Sequence, residues 1–160
     1  LLVFPGGDIE ALRPFSDRYR VTLGGRRGFI RLARETGVPI VPLVICGAHA
    51  GYIVMRGARH PWLVALSMRL IRFKAFPLTL GLAGALVMIP STIVVPLLWP
   101  LLVLSLVNVV VPAPSRVEAR ALEPIHVGVD ESDDEVFAKV VESMQRAMDE
   151  LAEKRRSPWG

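Results

Sequence analysis

The chain has 160 residues, 52% of them apolar, a positive mean hydropathy of +0.44 and a net charge of +4 carried mostly by arginine. This is enough chain for one domain with a sizeable core, and more apolar than a freely soluble protein usually is. The lone cysteine, Cys46, excludes an intrachain disulfide and favours a reducing compartment, while a basic excess on so apolar a chain suits anionic lipid better than nucleic acid.

In chain order, Leu1 to Phe4 reads as a buried strand stopped by Pro5-Gly6-Gly7. Paired glycines allow positive φ and leave main-chain N–H groups uncovered. Asp8, Glu10 and Arg13 follow closely, as at the sites of open α/β sheets. By itself the pattern fits a plain turn as well as a ligand site. A Walker phosphate loop and the Gly-x-Gly-x-x-Gly dinucleotide signature are both absent. After Gly24-Gly25 a helix is expected over about Arg26 to Thr36, with Phe29, Ile30, Leu32 and Ala33 inward and Gly37 as its stop. Arg26 and Arg27 at its N-terminus oppose the helix dipole unless an anion binds there; a solvated face is the other reading. Pro39 to Cys46 has the continuous apolar character of a strand covered on both faces of a parallel sheet, with a local irregularity at Pro42. His49 lies just past its end, either in contact with a ligand or bonded to loop backbone.

Pro61 to Phe73 is expected to be an amphipathic helix, with Trp62, Leu63, Leu66 and Leu70 on one side and Arg69 and Arg72 near its end. From Ala75 to Ser115 there is no charged residue. Pro90, Pro96 and Pro100 are expected to interrupt this run, and the arms Leu78 to Ile89 and Leu97 to Val111 fall short of the roughly 20 residues that cross a bilayer. A re-entrant hairpin or membrane-embedded surface and a buried core element are both open. Arg56, Arg59, Arg69, Arg72 and Lys74 precede the run and favour the cytoplasmic leaflet. Arg116 to Ala121 alternates like a half-exposed strand, ended by Glu123-Pro124-Ile125. Ser132 to Glu135 is a capping box opening a C-terminal helix over residues 132–156. Its apolar face is Val136, Phe137, Val140, Val141, Met144, Met148 and Leu151, and Lys154, Arg155 and Arg156 complete its last turn. No internal repeats or metal-ligand clusters stand out.

Phe4-Pro5-Gly6-Gly7, Glu10-Ala11-Leu12, Arg27-Gly28-Phe29-Ile30-Arg31-Leu32-Ala33 and Gly37-Val38-Pro39-Ile40-Val41-Pro42 occur in that order. Together they resemble the glycerolipid acyltransferase superfamily over roughly residues 1–55, and its diacylglycerol-acyltransferase branch more than the phosphate-reading branch. The latter carries Phe-Pro-Glu-Gly-Thr-Arg-Ser here, against Gly6 and Asp8 in this chain. The family's His-x-x-x-x-Asp motif does not occur: five positions after His49, His60 and His126 stand Val54, Ala65 and Glu131. The chain opens on Leu1 inside an apolar run, so it is expected to be the C-terminal part of a single acyltransferase domain, the catalytic pair lying upstream.

The resemblance implies an α/β fold, a central mostly parallel sheet flanked by helices, with residues 75–115 facing a membrane and an amphipathic helix at the C-terminus. It implies transfer of a fatty acyl group from acyl-CoA or acyl carrier protein, as co-substrate and without a cofactor, to a hydroxyl of a glycerolipid or similar acceptor. Pro5, Gly6, Gly7, Glu10, Arg13, Arg26 and Arg27 are the expected substrate-binding residues. The partners are then the lipid acceptor, acyl-CoA and an anionic membrane surface on the cytoplasmic face, with no nucleic acid. A catalytically inactive lipid-binding or scaffold module is the alternative.

Overall fold

The computed structural model describes residues 1–58, 66, 69, 76–94, 98–128, 130–157 and 159. Its elements are α1 (Gly7–Ala11), a 3-10 turn (Phe15–Asp17), α2 (Gly28–Thr36), β1 (Leu43–Cys46), α3 (Ala48–Gly51), β2 (Val54–Ala58), β3 (Phe76–Thr79), α4 (Leu80–Val94), α5 (Trp99–Val110), β4 (Glu118–Ala121) and α6 (Asp133–Glu153).

Leu1 to Phe4 is not a strand. It is irregular and exposed, Phe4 to 69%, and no strand pairs with it among the described residues. An apolar run signals a pull toward other apolar surface but does not supply a pairing partner. The expected parallel pairing does not occur among the described residues either: β1 pairs antiparallel with β4, Leu43 opposite Ala121, and β2 antiparallel with β3. The long excursion between β1 and β4 lets the chain return in the opposite direction. Ile40 and Ile125 extend the first pair by exchanging two main-chain hydrogen bonds of 2.9 and 2.8 Å. Pro42, without an N–H, sits between that bridge and β1, and its carbonyl accepts from Leu122 N at 2.8 Å.

β1 is covered on one side only. Pro42, Val44 and Cys46 are buried, whereas Val41, Leu43 and Ile45 are exposed. The continuous apolar spelling therefore conceals a period-2 alternation. The buried side faces α6, and Val44, Ile30 of α2 and Val136 of α6 are shut away from solvent in one cluster with Val21 and Leu23. Each such side chain contributes roughly 1.5–3 kcal/mol by leaving water.

In α2, Ile30 and Ala33 are buried, Phe29 is half-buried, and Leu32 is exposed instead of inward. Gly37 closes the helix at φ 68°, a left-handed position that glycine takes without cost. α6 fastens the other elements to itself. Gln145 accepts from Val21 N at 2.8 Å and donates to Tyr19 O at 2.9 Å. Arg34 of α2 pairs with Asp133 and donates to Glu131 O at 2.8 Å, and Arg120 of β4 pairs with Glu150 at 2.7 Å. The helix ends at Glu153 with Lys154 as its cap, so Arg155 and Arg156 lie beyond its last turn. Arg155 instead reaches back, its Nη2 donating to Cys46 O at 3.5 Å and to Arg116 O.

The capping box at the start of α6 is complete. Ser132 Oγ accepts from Glu135 N at 3.2 Å, and the Glu135 carboxylate accepts from Ser132 N and from Ser132 Oγ, each at 2.9 Å. These bonds hold the Glu135 carboxyl below its usual 4.5. A depressed carboxylate stabilises the fold above its unfolded value and stops doing so as pH falls through the folded one. Ser132→Ala should lower stability by about 1 kcal/mol in urea unfolding. The difference between variant and wild type should shrink on acidification below about pH 4.5, as the bond from Ser132 Oγ to the Glu135 carboxylate, which the variant lacks, is lost from the wild type.

The amphipathic helix expected over Pro61 to Phe73 falls outside the described residues apart from Leu66 and Arg69. α4 and α5 pack against each other as an apolar hairpin. Gly84 lets them approach: a Cβ there would lie 2.9 Å from Ser105 Oγ. Pro90 does not interrupt α4, which runs on to Val94. The ring removes one main-chain bond, a loss that packing along α5 offsets. The roots of the hairpin are fastened at the end of α3 and just past it: Ala113 N donates to Gly51 O at 2.8 Å and Leu80 N to Ile53 O at 2.9 Å.

Candidate functional site

The glycine turn, α1 and the far end of β1 border one cavity of about 690 Å3. Its walls are largely apolar, from Leu1 to Pro5, Leu32 and Val38 through Ile45, and its ionisable lining consists of Glu10, Arg13 and His49. The dimensions suit a ligand of ordinary metabolite or lipid-chain size.

Local geometry puts the three polar groups there. Gly6 is buried, and a Cβ on it would overlap Glu10 Oε2 and lie 2.9 Å from Thr22 O, so only glycine lets Glu10 fold back across the turn. Gly7 has φ 55° and starts α1, which carries Glu10. Two residues past α1, Arg13 N donates to Glu10 O at 3.2 Å, which turns the Arg13 side chain inward. That side chain is only 5% exposed; its Nη2 donates to Arg18 O at 3.2 Å, and its Nη1 stands 3.9 Å from Glu10 Oε1. His49 enters from α3, which follows β1 after the left-handed Gly47.

Burial sets the protonation chemistry. It pushes the Glu10 carboxyl above its ordinary value of 4.5, against the pull of Arg13, and lowers Arg13, against the support of Glu10 and Asp17. His49 is pushed down to about 4, first by burial and then by the Arg13 charge, so its ring is neutral at pH 7. The site therefore combines a buried guanidinium, a carboxyl reluctant to ionise and a neutral imidazole beside apolar wall.

Of the residues expected to bind substrate, Pro5, Gly7, Glu10 and Arg13 line the cavity. Gly6 shapes it from behind. Arg26 is exposed with its guanidinium beside Gly7, where a Cβ would lie 2.9 Å from Nη1. Arg27 points elsewhere: it pairs with Asp134 of α6, lies 5.3 Å from the centre of the Phe137 ring and donates to Gly25 O at 3.3 Å. Its cationic charge at the start of α2 is thus balanced within the fold. Sequence reasoning left His49 open between two roles; its position just past the end of β1 was the available signal. The apolar wall of Val41, Leu43 and Ile45 was missed, because continuous hydrophobicity reads as burial on both faces.

The sequence pattern of the diacylglycerol acyltransferase family matches residues 1–157. The chain belongs to that family. Uncharacterised proteins of Mycobacterium bovis and Mycobacterium tuberculosis are 37% identical to it over 90 residues. The match covers 55% of this chain and 24% of the relatives, so the chain matches about a quarter of their length. No solved structure matches it. In this diacylglycerol acyltransferase family member the matched pattern includes the turn, α1, α2 and β1, the elements that border the cavity.

Proposed function

We propose that this family member is an O-acyltransferase of the glycerolipid acyltransferase superfamily, built on that superfamily's α/β fold. It moves a fatty acyl group from acyl-CoA or acyl carrier protein to a hydroxyl of diacylglycerol or a similar lipid acceptor. The observation that supports this most is a cavity with a long apolar wall and one ionisable end, set against the glycine turn. In the reaction a histidine of the superfamily's His-x-x-x-x-Asp pair takes the acceptor hydroxyl proton. The resulting oxygen attacks the thioester carbonyl, the C–S bond breaks, and the thiolate leaves and takes up the proton. The superfamily resemblance assigns that pair to sequence outside residues 1–160.

The chain's own residues bind and orient. Pro5, Gly6 and Gly7 shape the turn, Glu10 and Arg13 hold the polar end of the bound lipid, and Arg26, beside Gly7 near the start of α2, would attract phosphates of the donor, whereas Arg27 is already paired with Asp134. A hydrogen bond to a charged group of this kind contributes roughly 1.5–3 kcal/mol. Glu10→Ala in the intact protein is expected to slow acyl transfer at least tenfold with the thermal transition retained, measured with a radiolabelled acyl donor. Normal turnover in that variant removes Glu10 from the site, and no transfer by the wild type to any glycerolipid hydroxyl favours a purely lipid-binding module.

The same reading places the enzyme on the cytoplasmic face of a membrane, held by the α4–α5 hairpin. Leu86, Val87, Trp99 and Leu104 are largely exposed on it. At 15 and 12 residues the helices are about 22 and 18 Å long, against roughly 30 Å of hydrocarbon. Among the described residues no helix is long and apolar enough to cross a membrane. A hairpin resting in one leaflet suits both facts, and the arginines that precede it in sequence would meet anionic headgroups.

A further inference from the structure

Arg13 is more deeply buried than its bonding warrants. Its side chain is 5% exposed, yet Nε and Nη1 have no hydrogen-bond partner among the described residues, and Glu10 Oε1 at 3.9 Å from Nη1 is beyond hydrogen-bonding range. Among those residues Nη2 alone is used, by Arg18 O. A covered cation with two unfilled donor nitrogens is costly for a fold to keep, and such an arrangement is retained where an outside acceptor completes it. Glu10 pairs with it only loosely, at 3.9 Å and with burial working against the ionised carboxyl. Arg13 shares the cavity with His49, and away from this polar end the wall is Phe4, Val41, Leu43 and Ile45, all exposed. One polar corner joined to one open apolar strip is the outline of a single-headed amphiphile.

We propose that Arg13 and His49 are the residues that hold the carboxyl-level oxygen of the acyl group, with its alkyl chain laid along Phe4, Val41, Leu43 and Ile45. An oxygen reaches Nη1 by displacing the loosely held Glu10 carboxyl. Arg13 thereby becomes the residue that fixes where the acyl carbon sits, and His49, with its neutral ring, adds a hydrogen bond without competing for the anion's charge. This rests on the acyl-transfer reading for its biological meaning but not for its test.

The shared chemistry, an acyl oxygen at the head of an alkyl chain, has two sources: a free fatty acid or the thioester of an acyl donor. Binding to the intact protein in neutral detergent is to be measured by calorimetry for two matched pairs. These are palmitate against 1-hexadecanol, and palmitoyl-CoA against S-hexadecyl-CoA, the thioether that lacks the carbonyl. Arg13→Met should weaken palmitate, palmitoyl-CoA or both at least tenfold, and change the alcohol and the thioether less than twofold. The pair that responds identifies the source. An equal loss for both members of each pair, or no loss for any, overturns the proposal. If Arg13→Met does not fold, His49→Leu carries the same comparison, with a contrast of at least threefold required. A contrast found in a protein that transfers no acyl group keeps the acyl site and defeats the acyl-transfer reading. Undiminished transfer by Arg13→Met without any contrast does the reverse.

Discussion

Gly47→Ala should prevent the protein from accumulating in folded form, or lower its thermal midpoint by far more than a surface change does. Gly47 stands at φ 96°, where an L side chain is strained by roughly 1–2 kcal/mol. A Cβ there would also overlap the Arg116 carbonyl oxygen and lie 2.6 Å from both terminal nitrogens of Arg155. The obstacle is main chain already engaged, since Arg155 Nη2 donates to Arg116 O and to Cys46 O. Relief requires β1 to move away from the segment leading into β4, or Arg155 to withdraw. The combined cost is put at roughly 3 kcal/mol or more, a large part of a stability that is about 5–15 kcal/mol for an ordinary domain. Gly25→Ala provides the comparison: its φ is 70° but a Cβ would meet nothing within 4 Å, so only the backbone strain is added. Urea midpoints that fall equally in the two variants would show that the Arg155 contact does not constrain Gly47.

The second large effect concerns attachment. Leu86→Lys together with Leu104→Lys is expected to lower partition onto vesicles by about a hundredfold or more while leaving circular dichroism unchanged. Leu86 is 59% exposed and Leu104 65% exposed, so neither holds the fold together in water. Each leucine gains roughly 1.5–3 kcal/mol on entering hydrocarbon, and the pair together corresponds to about two to four decades in partition. Co-flotation with vesicles containing phosphatidylserine measures this. Unchanged flotation of the double variant would show that the hairpin does not enter the bilayer.

How much of this could be read from the sequence depended on how local each cause is. Gly37 ends α2 and Ser132 opens α6 because a helix boundary is decided by a few neighbouring residues. The run of motifs from Phe4 to Pro42 likewise carried the family. Pairing direction is not local: nothing within Leu43 to Cys46 states that its neighbour is Glu118 to Ala121 running the other way. Nor does Leu1 to Phe4 state that no strand pairs with it among the described residues. Proline was given too much weight at Pro90, where packing of one apolar helix on another outweighs one missing main-chain bond. At the site, Glu10 and Arg13 could be picked out from their charge beside paired glycines. The inward turn of Arg13 and the arrival of His49 beside it depend on where α3 is set by β1, which only the folded chain specifies. Arg27 looked like Arg26 in the sequence, yet Asp134, more than a hundred residues further on, claims it.

The two main-chain bonds at the roots of the hairpin have a mechanical meaning. Leu80 hangs from Ile53 and Ala113 from Gly51, so both legs are hinged to the last residue of α3 and the stretch just after it, a few residues beyond His49. Whatever rocks the hairpin, be it lateral tension, leaflet curvature or crowding by cargo, acts on that stretch as a lever on its fulcrum. A force on the hairpin is thus carried into α3, the element that sets His49 in the cavity wall.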